Sequence, residues 1–183
     1  ELDAGQDPAR WMADHEMEGG LPEGWEPYVA EMQVAASGAF EATELEVAAA
    51  AAGTMAAQCG ACHQAQDAMI DIPIGEPPAA LPGTEAHMER HLWAMESLWN
   101  GLVTPSDASW VAGAEVLAEE PLSGGEISED QQLQAQLAEL AGHLHALGAE
   151  AATVTDLQAR GRLYGQMVAT CSTCHTRVQG MLP

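Results

Sequence analysis

All four cysteines of the chain fall into two short motifs, Cys59-Gly60-Ala61-Cys62-His63 and Cys171-Ser172-Thr173-Cys174-His175. Both read C-x-x-C-H, the pattern of covalent c-type haem attachment. The spacing has a chemical reason. Two thiols one helical turn apart can add to the two vinyl groups on one edge of a porphyrin, and the adjacent histidine then presents its imidazole to the iron as proximal ligand. On this reading the cofactors are two c-type haems, with Cys59, Cys62, Cys171 and Cys174 as thioether links and His63 and His175 as iron ligands.

Two other uses of paired cysteines fit less well. A zinc site made from two C-x-x-C pairs separates them by roughly 15 to 20 residues, whereas here more than a hundred intervene. Zinc would also leave the trailing histidines unexplained. A thioredoxin-like redox pair belongs in a β-α-β setting, and no convincing strand run flanks either motif.

The elements that must position these groups read as helices. Glu41 to Cys62 is rich in alanine and glutamate, and Thr155 to Cys174 opens on Thr155-Asp156-Leu157, good capping chemistry for a helix entrance. Upstream of the second motif, Glu129 to Ala151 carries leucines at 133, 137, 140, 144 and 147, an apolar stripe of helical period. Trp25 to Ser37 is its poorer counterpart in the first half. Glu85 to Val103 predicts a further amphipathic helix with Leu92, Met95, Trp99 and Leu102 along one side, ended by Pro105-Ser106-Asp107, which caps a short helix to about Leu117. The proline- and glycine-rich stretch Ile72 to Gly83 reads as a linker, and Glu119 to Asp130 as an acidic loop.

The chain also repeats itself. Shifted by 112 residues, Thr43 falls on Thr155, Leu45 on Leu157, Gly53 on Gly165, Met55 on Met167 and Ala57 on Ala169, and the two C-x-x-C-H motifs superimpose. These expectations give an all-α fold, a helical bundle built from two repeats. Residues 1–75 form a first haem-binding repeat, 76–84 a proline-rich linker and 85–183 a second, four-helix repeat. The first repeat shows only three helices, its missing first one falling before residue 1.

A four-helix unit whose last helix ends in C-x-x-C-H resembles the cytochrome c′ class of four-helix-bundle cytochromes, and the whole pattern resembles a dihaem bacterial c-type cytochrome. Residues 84 to 183 carry the resemblance best. It implies a periplasmic or extracellular location in a bacterium. It leaves the distal iron ligands open, because cytochromes c′ often leave that side empty.

Five histidines remain as candidates: His15, His87, His91, His143 and His145. In an up-down-up-down bundle the start of the first helix lies beside the end of the fourth, which brings His87 and His91 to the second haem. His143 and His145 then belong to the other end. His87 and His91 are four apart, on one face that continues into Ala94, Leu98 and Leu102. His91 is the choice for the second haem. His87 is offered as distal ligand to the first haem through the linker, with His15, His143 and Met32 as its rivals. The missing helix, another subunit or an open site are the remaining explanations. Met55 and Met167 sit on the haem-bearing helices and read as packing, as do the tryptophans.

The expected function is electron transfer, with low-spin haems ligated by distal histidine, and not enzymatic catalysis. A gas-binding or sensing protein with an open haem, or a dihaem peroxidase, are the alternatives. No serine-histidine-aspartate set, paired-carboxylate cleft, P-loop or dinucleotide motif stands out. The formal charge of −23, with five arginines as the only bases, repels nucleic acid and anionic lipid and suits a redox partner with a basic docking face. A place as a subunit of a larger membrane-bound redox complex is a further expectation. No apolar run reaches the roughly 18 to 20 residues that span a bilayer, and no leader peptide is visible. Aromatics make up only 4% of the chain, so two porphyrins would supply apolar bulk that the side chains lack.

Overall fold

The computed structural model of the protein describes residues 21–68 and 70–179. Among them are seven α-helices and no strand: α1 (Glu26–Glu41), α2 (Leu45–Ala65), α3 (Thr84–Val103), α4 (Asp107–Leu117), α5 (Gly124–Ile127), α6 (Gln131–Ala151) and α7 (Leu157–Gln179). The all-α helical bundle expected from the sequence is therefore present. The third helix expected in the first repeat would lie outside the described residues. None of the described helices is long and apolar enough to cross a membrane.

Local chemistry sets several of the boundaries. Ser106 caps α4, accepting from the Ser109 amide, and Asp130 caps α6 through the Gln132 amide at 2.8 Å. Asp156 accepts the Ala159 amide at 2.8 Å at the entrance to α7, so the aspartate of the Thr155-Asp156 pair does the capping. The acidic stretch 119–130 is not a plain loop. Ser123 and Glu126 close a reciprocal capping box around α5.

The leucine stripe of α6 faces inward as expected, with Leu137, Leu144 and Leu147 buried. That of α3 does so only in part: Leu102 is buried and Met95 packs partly buried against the core. Its buried face is Arg90, Ala94, Ser97, Leu98, Gly101 and Leu102, while Leu92 is 62% exposed and Trp99 lies at the surface edge. Small residues win this face because α4 crosses at backbone distance, Gly101 against the Trp110 backbone and Gly113 against the Ala94 carbonyl. Trp110 is fully buried and its Nε1 donates to the Ala151 carbonyl at 2.8 Å, pinning α4 to the end of α6.

An extensive contact joins the two motif-bearing helices, α2 and α7. They run antiparallel and meet on small residues: Gly53 lies against the Gly161 carbonyl, Gly165 against the Ala49 carbonyl. Under the 112-residue shift Gly53 becomes Gly165 and Gly161 becomes Ala49. Each contact is thus the repeat image of the other, the relation a twofold axis imposes on a self-complementary interface. The motif centres, Ala61 and Thr173, lie in opposite directions from the crossing, roughly 25 to 30 Å apart at 1.5 Å per residue.

Elsewhere glycine has no such duty. Gly142, on the solvent side of α6, has nothing within 4 Å of where a Cβ would stand. Gly142→Ala is expected to raise stability by about 0.5 to 1 kcal/mol through lower unfolded-chain entropy. Denaturant unfolding measures it, and a loss of stability would show that the position is covered.

Candidate functional site

The two C-x-x-C-H motifs sit in different surroundings. Cys59, Cys62 and His63 lie on the last turns of α2, where Gly60 packs against the Leu102 carbonyl at the end of α3. His63 Nδ1 lies 2.7 Å from the Val103 carbonyl. A carbonyl only accepts, so Nδ1 carries the proton and Nε2 keeps its lone pair free for a metal. The Cys59 thiol points at Met32 Sδ, 3.8 Å away, which places this rival ligand beside the first motif.

The second motif opens onto a cleft with a cavity of about 250 Å³ between α3, α6 and α7. Cys171, Cys174 and His175 line it from α7, His87, Met88 and His91 from α3, and Leu140 and Leu144 from α6. His91 and His175 thus share one cavity, as expected from an up-down-up-down topology.

His145 departs from that expectation. It is 5% exposed, and its Nε2 lies 3.3 Å from His91 Nε2, with ring centroids 5.0 Å apart. Helices of equal length would carry His145 to the far end. Instead α4 has only 11 residues. The end of α4 at Leu117 meets Gly148 of α6 while its Gly113 meets Ala94 of α3, so His145 comes level with His91; Thr84 Oγ1, in the first turn of α3, donates to the Glu126 carbonyl of α5 at 2.9 Å. His143, two residues earlier, is on a surface groove with Gln136, Glu139 and Arg177.

His87 is also corrected. Its ring centroid lies 4.3 Å from that of His91, the planes tilted by 58°, at the second motif. Sixteen residues, roughly 24 Å of helix, separate it from Val103, which holds His63, so it does not face the first motif. His15 lies outside the described residues.

Burial governs the electrostatics. It drives the His91 pKa down to about 3, aided by His87, His145 and His175, and lowers those of His87 and His145 as well. These imidazoles are neutral at pH 7. Among the described residues no hydrogen-bond partner reaches the buried His145 Nδ1; the Glu119 backbone acts against burial by favouring a proton on the ring.

None of the four cysteines pairs in a disulfide, and all are partly buried. Burial pushes Cys171 up to about 11 and raises Cys59 and Cys174. These three are not thiolates poised for redox exchange. The separation of the two pairs on α2 and α7 also rules out one zinc ion shared by all four.

Two interior arginines escape a reading of the sequence. Arg90 donates to both carboxylate oxygens of Glu119 and to the Pro78 carbonyl, tying α3 to the linker. Arg160 donates to the Val154 carbonyl at 2.9 Å and to Asp107 at 2.7 Å. Neither has a sequence signal beyond an arginine on an otherwise small, apolar face.

Comparisons with family models, with curated proteins and with solved structures gave no match.

Proposed function

We propose that the chain is a dihaem c-type electron-transfer protein. The observation that carries the reading is the pairing of each C-x-x-C-H motif with a place for its histidine to work. At the first, the Val103 carbonyl fixes the His63 tautomer and leaves Nε2 free. At the second, two cysteines and His175 from α7 line an apolar cleft together with His87 and His91 from α3.

The residues suit covalent haem. Cys59 with Cys62, and Cys171 with Cys174, are unpaired thiols one helical turn apart, and they would hold one porphyrin each. A bound haem supplies a one-electron iron couple. The chain's own part is to hold His63 and His175 toward the iron, to keep water from the apolar wall of the cleft, and to offer His91 as sixth ligand at the second site. Two histidines on one iron leave no place for substrate, which favours a carrier over an enzyme. The resemblance to c-type cytochromes implies a periplasmic or extracellular setting, and the acidic surface suits a partner with a basic docking face.

Intact mass of the purified chain tests this. Two covalent haems are expected, one disappearing in Cys59→Ala/Cys62→Ala and the other in Cys171→Ala/Cys174→Ala. A chain that carries no haem when made in a host competent for c-type attachment sinks the proposal. The cavity beside His175 favours one second reading, small-ligand binding at that haem; stoichiometric carbon monoxide uptake by the untreated reduced protein would put it first.

A further inference from the structure

His87 and His91 from α3 and His145 from α6 bring one ring nitrogen each to within 4.8 Å of the others. Three neutral imidazoles carry three lone pairs and three N–H groups, yet only one hydrogen bond forms among them, between His91 and His145. The 3.3 Å between their Nε2 atoms equals the ligand–ligand edge of a tetrahedral ion with metal–nitrogen bonds of 2.0 to 2.1 Å, about 3.3 to 3.4 Å. His145 cannot turn away, being 5% exposed. Its Nδ1 has no hydrogen-bond partner among the described residues, so the buried ring keeps polar capacity that the protein's own groups leave unused.

We propose that His87, His91 and His145 form a binding site for a nitrogen-preferring divalent ion of the Zn²⁺ type, and that the ion regulates the second haem by withdrawing His91 from it. An all-nitrogen donor set disfavours Mg²⁺ and Ca²⁺, which take oxygen. The exchange moves one lone pair of His91 from one metal to another, with no change of oxidation state, and leaves His175 as the only protein ligand to the second iron. This regulatory part rests on the haem reading above; the ion site rests on protein atoms alone.

The test is a Zn²⁺ titration of the purified full-length chain, followed by calorimetry and paramagnetic resonance. One ion per chain is expected. The low-spin ferric signal of one haem should convert to high spin, and one equivalent of carbon monoxide should then bind on reduction. His87→Ala and His145→Ala should each weaken zinc binding by about 100-fold, whereas His143→Ala, outside the cluster, should bind as the parent does. If circular dichroism shows His145→Ala unfolded, His87→Gln, at a half-buried position, serves in its place. No zinc uptake, or uptake unaffected by these substitutions, overturns the site. Uptake with an unchanged haem signal overturns the regulation. A chain without haem fails the earlier reading instead, and calorimetry on it still decides the ion site.

Discussion

Gly53→Ala is expected to destabilise the protein by about 3 kcal/mol or more, at the upper end for overpacking. The added methyl would stand 2.1 Å from the Gly161 carbonyl oxygen and 3.1 Å from the Gly165 amide nitrogen. These are backbone atoms of α7, so no rotamer change can relieve the clash and the helices must separate. Every apolar contact along the seam between α2 and α7 then weakens together. Gly161→Ala and Gly165→Ala meet backbone at 2.6 and 2.7 Å and should behave alike. Because these sites share one crossing, a double substitution should cost less than the sum of the singles. Denaturant midpoints settle the matter: a Gly53→Ala protein of parental stability would mean that α2 and α7 do not meet there.

Arg160→Ala is the second large effect, at about 2 to 4 kcal/mol. The guanidinium is 2% exposed and lies 5.2 Å from the centre of the Trp110 ring. Its loss opens a cavity beside the largest buried side chain and strips the Val154 carbonyl of a donor. The ion pair itself is the smaller part. Asp107 is 78% exposed, so solvent screens it, and Asp107→Asn should cost about 1 kcal/mol or less. Equal losses from the two substitutions would contradict this division and show that the attraction between the two charges outweighs the packing.

Much of the frame is legible in the sequence because its signals are local. The stripe Leu137-Leu144-Leu147, the Ser106 cap and the entrance at Asp156 each depend on residues within a few turns of one another. The chemistry of the C-x-x-C-H motifs is legible for the same reason. What stays hidden is tertiary. Gly53 and Gly165 are visible as matched positions, but nothing in either segment says that each meets the other repeat's helix. In α3 the apolar stripe through Leu92 and Trp99 misleads, because backbone proximity favours Ala94, Ser97 and Gly101 over larger side chains. A topology of equal helices puts His145 at the wrong end of the bundle. Its spacing of three from Gly148 and one from Leu144 does place it on the widened inner face of α6, a signal that favours burial.

The twofold relation between α2 and α7 bears on traffic as well as on packing. Paired helices that run head to tail carry their motifs to opposite poles of the bundle. On the haem reading, each redox centre then has its own stretch of protein surface, and an electron donor at one pole does not obstruct an acceptor at the other. The protein would have two electrical contacts that can be occupied at once, while α3, with His91 in its first half and the Val103 carbonyl at its last turn, reaches from one pole to the other.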